Sequence, residues 1–363
     1  MRFTTSADNL AAAVASLKGA IERRCTLPIL SHVCMTLEGD TLTLIGTDLE
    51  RELRTQTPVF PVEQGSITVQ HERLLALLRA LPIAAEVGIR LEGYRLHVDA
   101  GRSRFKLQTL PAENFPAFDT GTLGDASLLP AAVLARLLAK VSYAMAKQDV
   151  RYYLNGALIQ RDAGVLRVVA SDGHRLAVAS APIDYDGLGS DWIIPRESII
   201  ELQKIVSTGG DVSLRVAANA VQFNMAAVRF SSKLMEGRFP DWQRVCPKDF
   251  NRQFDTDREA LIAALRRVGL TASASGRGIV LSISAEGVLL SSDNGEETAE
   301  DFVAGVLEGS DVQVAFNVGY LEDALTHLES ETVRLSLTPA VNSCLVSDPE
   351  DESVRHVVMP MRL

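Results

Sequence analysis

Apolar residues along this chain follow two rhythms. In "DVSLRVAANAVQFNMAAVRFSS" and "TVRLSLTPAVNSCLVS" they fall at every second position between turn formers, which predicts antiparallel hairpins. "ALIQRDAGVLRVVAS" reads the same way. Elsewhere the spacing lengthens to three and four. Leu10, Val14, Leu17 and Ile21 share one helical face, as do Leu134, Leu137, Leu138, Val141 and Met145. Leu261, Ala264, Leu265 and Val268 form a third such face, preceded by Thr256 and Glu259 at capping-box spacing. Three shorter helices follow from Leu74, Leu77, Leu78 and Leu81, from Ile199, Leu202 and Val206, and from Leu321, Leu325 and Leu328, the last with Asn317 as N-cap.

These elements recur at a fixed interval. "GDTLTLIGTD", "AGVLRVVASD" and "EGVLLSSD" each run from a glycine turn through an alternating strand to an aspartate, and their last residues, Asp48, Asp172 and Asp293, lie 124 and 121 residues apart. "FPAF" at Phe115 and "FPDW" at Phe239 repeat at 124, and "SRFKL" and "VRFSS" at 125. Internal repeats of this length predict three copies of one domain, at 1–120, 128–245 and 254–363, joined by the polar stretches "FDTGTLGDAS" and "CPKDFNRQF". Each copy holds two helices and about eight strands. The expected fold class is α+β, with helices on one face of antiparallel sheets.

Composition narrows the function. With 36 basic and 46 acidic residues the net charge is −10, which argues against a strongly basic nucleic-acid binder. The distribution softens that. The six helical windows carry 14 basic against 11 acidic groups, so the remainder of the chain stands at −13. A weakly basic helical layer and an acidic sheet layer would suit a surface that touches phosphates without reading bases. Cys25, Cys34, Cys246 and Cys344 have neither zinc spacing nor a disulfide-rich pattern, no metal or cofactor is implied, and the N-terminus lacks an apolar signal core, so a cytoplasmic protein is expected. "SDGHR" places Asp172, His174 and Arg175 together, but no nucleophile elbow accompanies them, and the six histidines show no ligand spacing. The chain closes on "RHVVMPMRL", apolar and rich in methionine where a polar, frayed end is usual.

At "QDVRYYLNGALI", "SDGHRLAVASAPI", "EGRFPDW" and "VVMPMRL" the chain resembles the β subunit of bacterial DNA polymerase III, the sliding-clamp family, and "TLPIL", "GTDLE" and "AGRSRF" extend the likeness over its whole length. The resemblance implies a head-to-tail dimeric ring of three-domain subunits, helices inside and sheets outside, that encircles duplex DNA without sequence preference. Such a ring is a processivity factor with no catalysis of its own and tethers the polymerase III catalytic subunit, the clamp loader, other polymerases and repair proteins. It places these partners' short Gln-and-apolar peptides in a groove at the chain end. The walls it implies come from Leu154, Ser171, Gly173, His174, Arg175 and Leu176, then from Pro240, Arg244 and Val245, and from Asn317, Tyr320, Val341 and Ser343. The tail supplies Val357, Met359, Pro360, Met361, Arg362 and Leu363, and flexible methionine suits a slot that must accept several partners. For DNA it implies Arg24, Arg73, Gln148, Arg151, Tyr152 and Tyr153. For the subunit joint it implies Phe105 and Leu107 against Leu270, and Arg102 and Arg104 against Glu296, Glu297, Glu300 and Asp301.

Three positions depart from the family pattern. Ser171 stands for an expected Thr, and Gly269 and Gly276 for larger apolar residues. Two rival readings have the same residues: a clamp paralogue with a specialised role, such as tolerance of a clamp-directed antibiotic, and a hydrolase built on Asp172 and His174.

Overall fold

The structure, a computed structural model, describes residues 1–22, 26–162, 164–184, 190–206, 209–272 and 278–362. Its chain divides into two compact units. The first comprises Met1–Ala131 with Lys204–Leu234, the second Ala132–Gln203 with Met235–Leu363. The helices are α1 (Ala7–Ser16), α2 (His71–Ala80), α3 (Ala131–Val141), α4 (Arg196–Val206), the one-turn α5 (Trp242–Val245), α6 (Arg258–Val268) and α7 (Val318–Thr326).

Each unit contains one long run of hydrogen-bonded antiparallel strands, thirteen in the first and twelve in the second among the described residues. The central repeat is shared between them. Its strand Val228–Lys233 pairs with Arg51–Pro58 of the first repeat, with Phe230 opposite Leu53. Its strand Arg175–Pro182 pairs with Val354–Val358 of the third, with Ala177 opposite His356. Sheet bonding therefore runs through both repeat boundaries, and that is why three sequence repeats make two compact units.

The helices form where the apolar spacing puts them. Leu10 and Val14 of α1 are fully buried and α1 packs on α2; Leu134, Leu137, Leu138 and Val141 of α3 are buried likewise; and Leu261, Leu265 and Val268 turn α6 inward, where it packs on α7. Each such leucine contributes roughly 1.5–3 kcal/mol by leaving water. Two details differ from the sequence expectation. The N-cap of α6 is Asp257, which accepts the Ala260 amide at 2.7 Å, while the Thr256 hydroxyl donates to the Ala304 carbonyl in the sheet. A capping box read at Thr256 is thus displaced by one residue, because the neighbouring strand claims the threonine. In α2, Leu75 is buried instead of Leu77. Among the described residues the first repeat has nine strands where about eight were expected, since the short edge strand Phe60–Glu63 pairs with Arg2–Ser6.

The repeats superpose turn by turn. Asp48 N–H donates to Arg51 O, Asp172 N–H to Arg175 O, and Asn294 N–H to Glu297 O, at 3.2 to 3.4 Å. The turn of the third repeat therefore begins at Asn294, one residue after the Asp293 that sequence alignment favoured, and Gly295 matches Gly173 with φ of 87° and 88°.

Candidate functional site

The segment Ser171–Leu176 is fixed by its own side chains. The Asp172 carboxylate accepts the His174 and Arg175 amides at 2.9 and 3.1 Å and the Arg175 Nε at 3.0 Å. The Ser171 hydroxyl donates to Arg175 O at 2.8 Å and accepts from the Gly173 amide. Gly173 sits at φ 88°, a left-handed conformation that favours glycine, and a Cβ there would lie 2.7 Å from the Arg151 guanidinium nitrogens and displace that side chain. Asp172 is fully engaged with backbone and arginine. The His174 ring stacks on Tyr320, centroids 6.0 Å apart, and not on Asp172. The arrangement is a shaped turn rather than a His–Asp general base, whose imidazole would need the carboxylate.

Beneath the turn lies an apolar floor. Leu154, Leu176, Phe239, Cys246 and Val357 pack in one buried cluster, flanked by half-buried Tyr153, Trp242, Val245 and Met235. The tail crosses above it. Met359 N–H donates to His174 O at 3.0 Å, and Met361 N–H to Ala315 O at 2.7 Å. Met359 and Met361 stay 37% exposed although each is held by a backbone bond. Met361 rests against Gly278, where an added Cβ would stand 3.4 Å from its methyl. On the far side, Arg244, Val245, Ser343 and Met359 open onto a cavity of about 550 Å³ that includes Lys248 and Asn342. Val341 adopts φ 50°, rare for a β-branched residue, and Asn317 caps α7 by accepting the Tyr320 amide at 3.2 Å. Pro240 follows the buried Phe239, and Pro360 and Arg362 lie on the outer run of the tail. Leu363 is outside the described residues, as are Arg24 and Gly276.

Of the residues implied for DNA, Arg73 is exposed on α2 in the first unit. The other four share a loop in the second. Gln148 has φ 56°. Arg151 grips Asp149 with two nitrogens at 3.0 and 2.8 Å, and a third contact reaches Asp172 O at 3.1 Å. Those bonds hold the Asp149 carboxyl down at about 2. Tyr153 packs on the apolar floor, while Tyr152 is 52% exposed. Arg151 and Tyr153 thus adjoin the cleft turn.

The basic character of the helices is partly cancelled. Arg136 pairs with Asp351, Lys140 with Glu329, Arg266 with Glu322 and Arg267 with Asp301, at 2.6 to 3.1 Å. Lys18, Arg73, Arg79 and Lys147 remain exposed. Charge counting along the sequence could not separate these two groups, because the partners are remote in the chain.

The residues implied for the joint lie on two open strand edges. Ser103–Leu110 pairs with Arg95–Ala100 through residues 103–108 and with Gly65–Gln70 only at Thr109 and Leu110. Arg102, Arg104 and Phe105 are exposed there, and Leu107 is half-buried. Thr298–Glu308 pairs with Gly287–Asp293 through residues 298–304 and, on its other edge, with Arg252–Asp257 through residues 305–308, so among the described residues that edge is open only along 298–304; Phe302 and Leu270 are exposed. Glu296, Glu297 and Glu300 are exposed, whereas Asp301 is already held by Arg267, which lowers its pKa. Gly269 ends α6 where a Cβ would meet Val318 at 3.0 Å. Close packing accounts for the small residue.

Sequence reasoning missed Gly278, Asp323 and Tyr143. Asp323 lies three residues after Tyr320, hence on the same face of α7, which was the one signal available.

Family models for the DNA polymerase III β subunit match the chain in three pieces: the N-terminal domain at 1–119, the central domain at 128–241 and the C-terminal domain at 243–362. The "Beta sliding clamp" of Escherichia coli strain K12 is 39% identical over the full length of both chains, and that of Vibrio cholerae is 37% identical over the full length of both. A crystal structure of the DNA polymerase III subunit β of Pseudomonas aeruginosa aligns over the whole of each chain with TM-score 0.97 at 38% identity, and a clamp from that organism solved with griselimycin aligns equally well. The chain belongs to the DNA polymerase III β-subunit family, three clamp domains of antiparallel sheet with helices.

Proposed function

We propose that this protein is the sliding clamp of its replisome. Two copies close head to tail into a ring around duplex DNA, and the cleft beside the chain end holds peptides of the polymerase and its companions. The observation that carries this is the end-to-end match, in sequence and in fold, to proteins named as sliding clamps. The geometry supports it. The open edges at 103–107 and 298–304 are complementary in charge, Arg102 and Arg104 facing Glu296, Glu297 and Glu300, and pairing them would remove two aggregation-prone edges. A heterologous contact that closes after two subunits makes a ring.

Several helical cations are ion-paired, which leaves a weak and non-specific grip on phosphate. That suits a ring that must slide, since phosphate contacts carry no sequence information. Retention then comes from enclosure and needs no catalysis. Arg73, Arg151 and the exposed Tyr152 are the contacts proposed for DNA, with Arg24 added by family resemblance.

The cleft is an apolar slot of Leu154, Leu176, Val245, Val357 and the two tail methionines, rimmed by His174 and Tyr320. A bulky apolar side chain would fill the floor, and a glutamine would meet the polar rim. The protein acts in the cytoplasm, on the nucleoid; among the described residues no helix is long and apolar enough to cross a membrane.

The deciding experiment loads the protein on DNA and raises the salt. Rings on closed circular DNA should persist far longer than rings on linear DNA of equal length, because only the linear form has ends to slide off. Equal loss from both would end the reading.

A further inference from the structure

The Arg175 guanidinium is unusually confined. Its Nη1 meets Asp323 Oδ2 at 2.5 Å, its Nε meets Asp172 at 3.0 Å, and its Nη2 donates to Tyr143 O at 3.0 Å. It also lies between two aromatic faces, 5.0 Å from the Tyr143 centroid and 4.6 Å from that of Tyr320. The Tyr143 ring is itself locked. It stacks on His327 at 4.2 Å, and its hydroxyl hydrogen-bonds His356 Nδ1 at 2.9 Å. Tyr320 in turn carries the His174 ring.

A planar cation between two rings and two carboxylates has few rotamers left, and each contact reinforces the others in a half-dry setting. The consequence reaches the cleft. Tyr320 and His174 form its polar rim, and neither ring is held by a side-chain hydrogen bond among those described. The guanidinium packs against the Tyr320 ring, and Asp323, one turn further along α7, holds that guanidinium together with Asp172 and the Tyr143 carbonyl.

We propose that Asp323 is a positioning residue for the peptide cleft: by anchoring Arg175 between Tyr143 and Tyr320 it holds the Tyr320–His174 rim in its receiving arrangement, without touching the peptide. This rests on the cleft reading above. A rim fixed before the peptide arrives lowers the ordering cost of binding, so loss of the anchor weakens affinity even when every peptide contact survives.

The test is a double-mutant cycle on the full chain, with a Gln-and-apolar peptide as probe and affinity read by fluorescence anisotropy. Asp323→Asn, nearly isosteric, should weaken binding about tenfold, within the range of coupling energies for residues sharing one network. Its thermal midpoint and its retention on circular DNA should match the parent. Arg175→Met should weaken binding at least as much, and adding Asp323→Asn to it should cost nothing more, because the anchor then has nothing to hold. Parental affinity in Asp323→Asn would overturn the proposal. So would a further loss in the Arg175→Met background, which would mean direct peptide contact, or a collapsed thermal midpoint, which would mean a merely structural role. Deleting Met359–Leu363 separates the premise from the inference. Peptide binding that survives that deletion would overturn the cleft reading and this inference with it.

Discussion

The turns Asp48–Arg51 and Asp172–Arg175 share their local bonds with one exception: Arg51 Nη2 also donates to its own turn aspartate, whereas Arg175 Nη2 donates to Tyr143 O. In each, an aspartate carboxylate accepts the amides two and three residues on and pairs with the arginine that closes the turn. In each, a hydroxyl at the preceding position donates to the arginine carbonyl and accepts the amide two residues on, Thr47 in one and Ser171 in the other. Even the neighbouring chain runs alike: Lys233 N–H donates to Glu50 O at 2.9 Å, and Met359 N–H to His174 O at 3.0 Å. The surroundings differ. After Lys233 the Leu234 amide donates to Asn219 O at 2.9 Å within the central repeat, whereas after Met359 the Met361 amide donates to Ala315 O at 2.7 Å. Both methionines stay partly exposed. Arg51 has Asp48 as its ion-pair partner, while Arg175 adds Asp323 and two aromatic faces. One turn geometry thus serves as plain sheet in the first repeat and, in the function proposed, as a cleft wall in the second.

The comparison also answers the departure at residue 171. Ser171 makes both bonds that Thr47 makes, so the hydroxyl is what the position needs and the absent methyl is not missed by the turn.

Exchange at the left-handed residue should separate the turns most strongly. Leu49 occupies φ 74° where Gly173 occupies φ 88°. Gly173→Leu would add about 1–2 kcal/mol of backbone strain and drive Arg151 from its seat, so peptide binding and thermal midpoint should both fall. Leu49→Gly should change stability by less than about 1 kcal/mol, the released strain offset by chain entropy. Equal effects in calorimetry would show that the turns are not differently loaded.

A second contrast lies on the strands beside the turns. By register with Leu53 and Ala177, Phe230 in the first unit corresponds to His356 in the second, and both are fully buried. Burial pushes His356 down to about 3 from its ordinary 6.5, so it is neutral in the fold. The unfolded chain takes up a proton there below 6.5 and the fold does not. This residue's contribution is therefore intact above about 6.5 and is lost progressively as the pH falls toward 3. His356→Phe, which copies the first repeat, should flatten the acid limb of thermal midpoint against pH over that window. An unchanged limb would place the acid sensitivity elsewhere. The same burial raises the Tyr143 hydroxyl well above the usual tyrosine range, so it stays protonated and can donate to His356 at any working pH.

The smallest effect tests the shared hydroxyl. Thr47→Ala and Ser171→Ala each remove the same two bonds and should each cost about 1 kcal/mol in denaturant unfolding. Only Ser171→Ala should also weaken peptide binding. Parallel losses of affinity would mean that the cleft does not depend on its turn.

Much of this was legible from residue order, because its causes are local. Strand alternation, helical faces, the Asn317 cap and the turn aspartates act over two to eleven residues, so the three repeats could be read directly. Two of the errors share one cause, contacts remote in the chain, while the third is local. Thr256 lost its cap role to a carbonyl 48 residues away, and the third turn slipped by one residue because its carboxylate is replaced by Asn294. The helical charge layer was partly cancelled by acids as far as 215 residues off. Spacing along a chain fixes which side chains share a face, since periodicity is a property of neighbours. Which remote groups then meet depends on sheet pairing across repeat boundaries. Tyr143 and Asp323, 32 and 148 residues from Arg175, come together only once that pairing is complete.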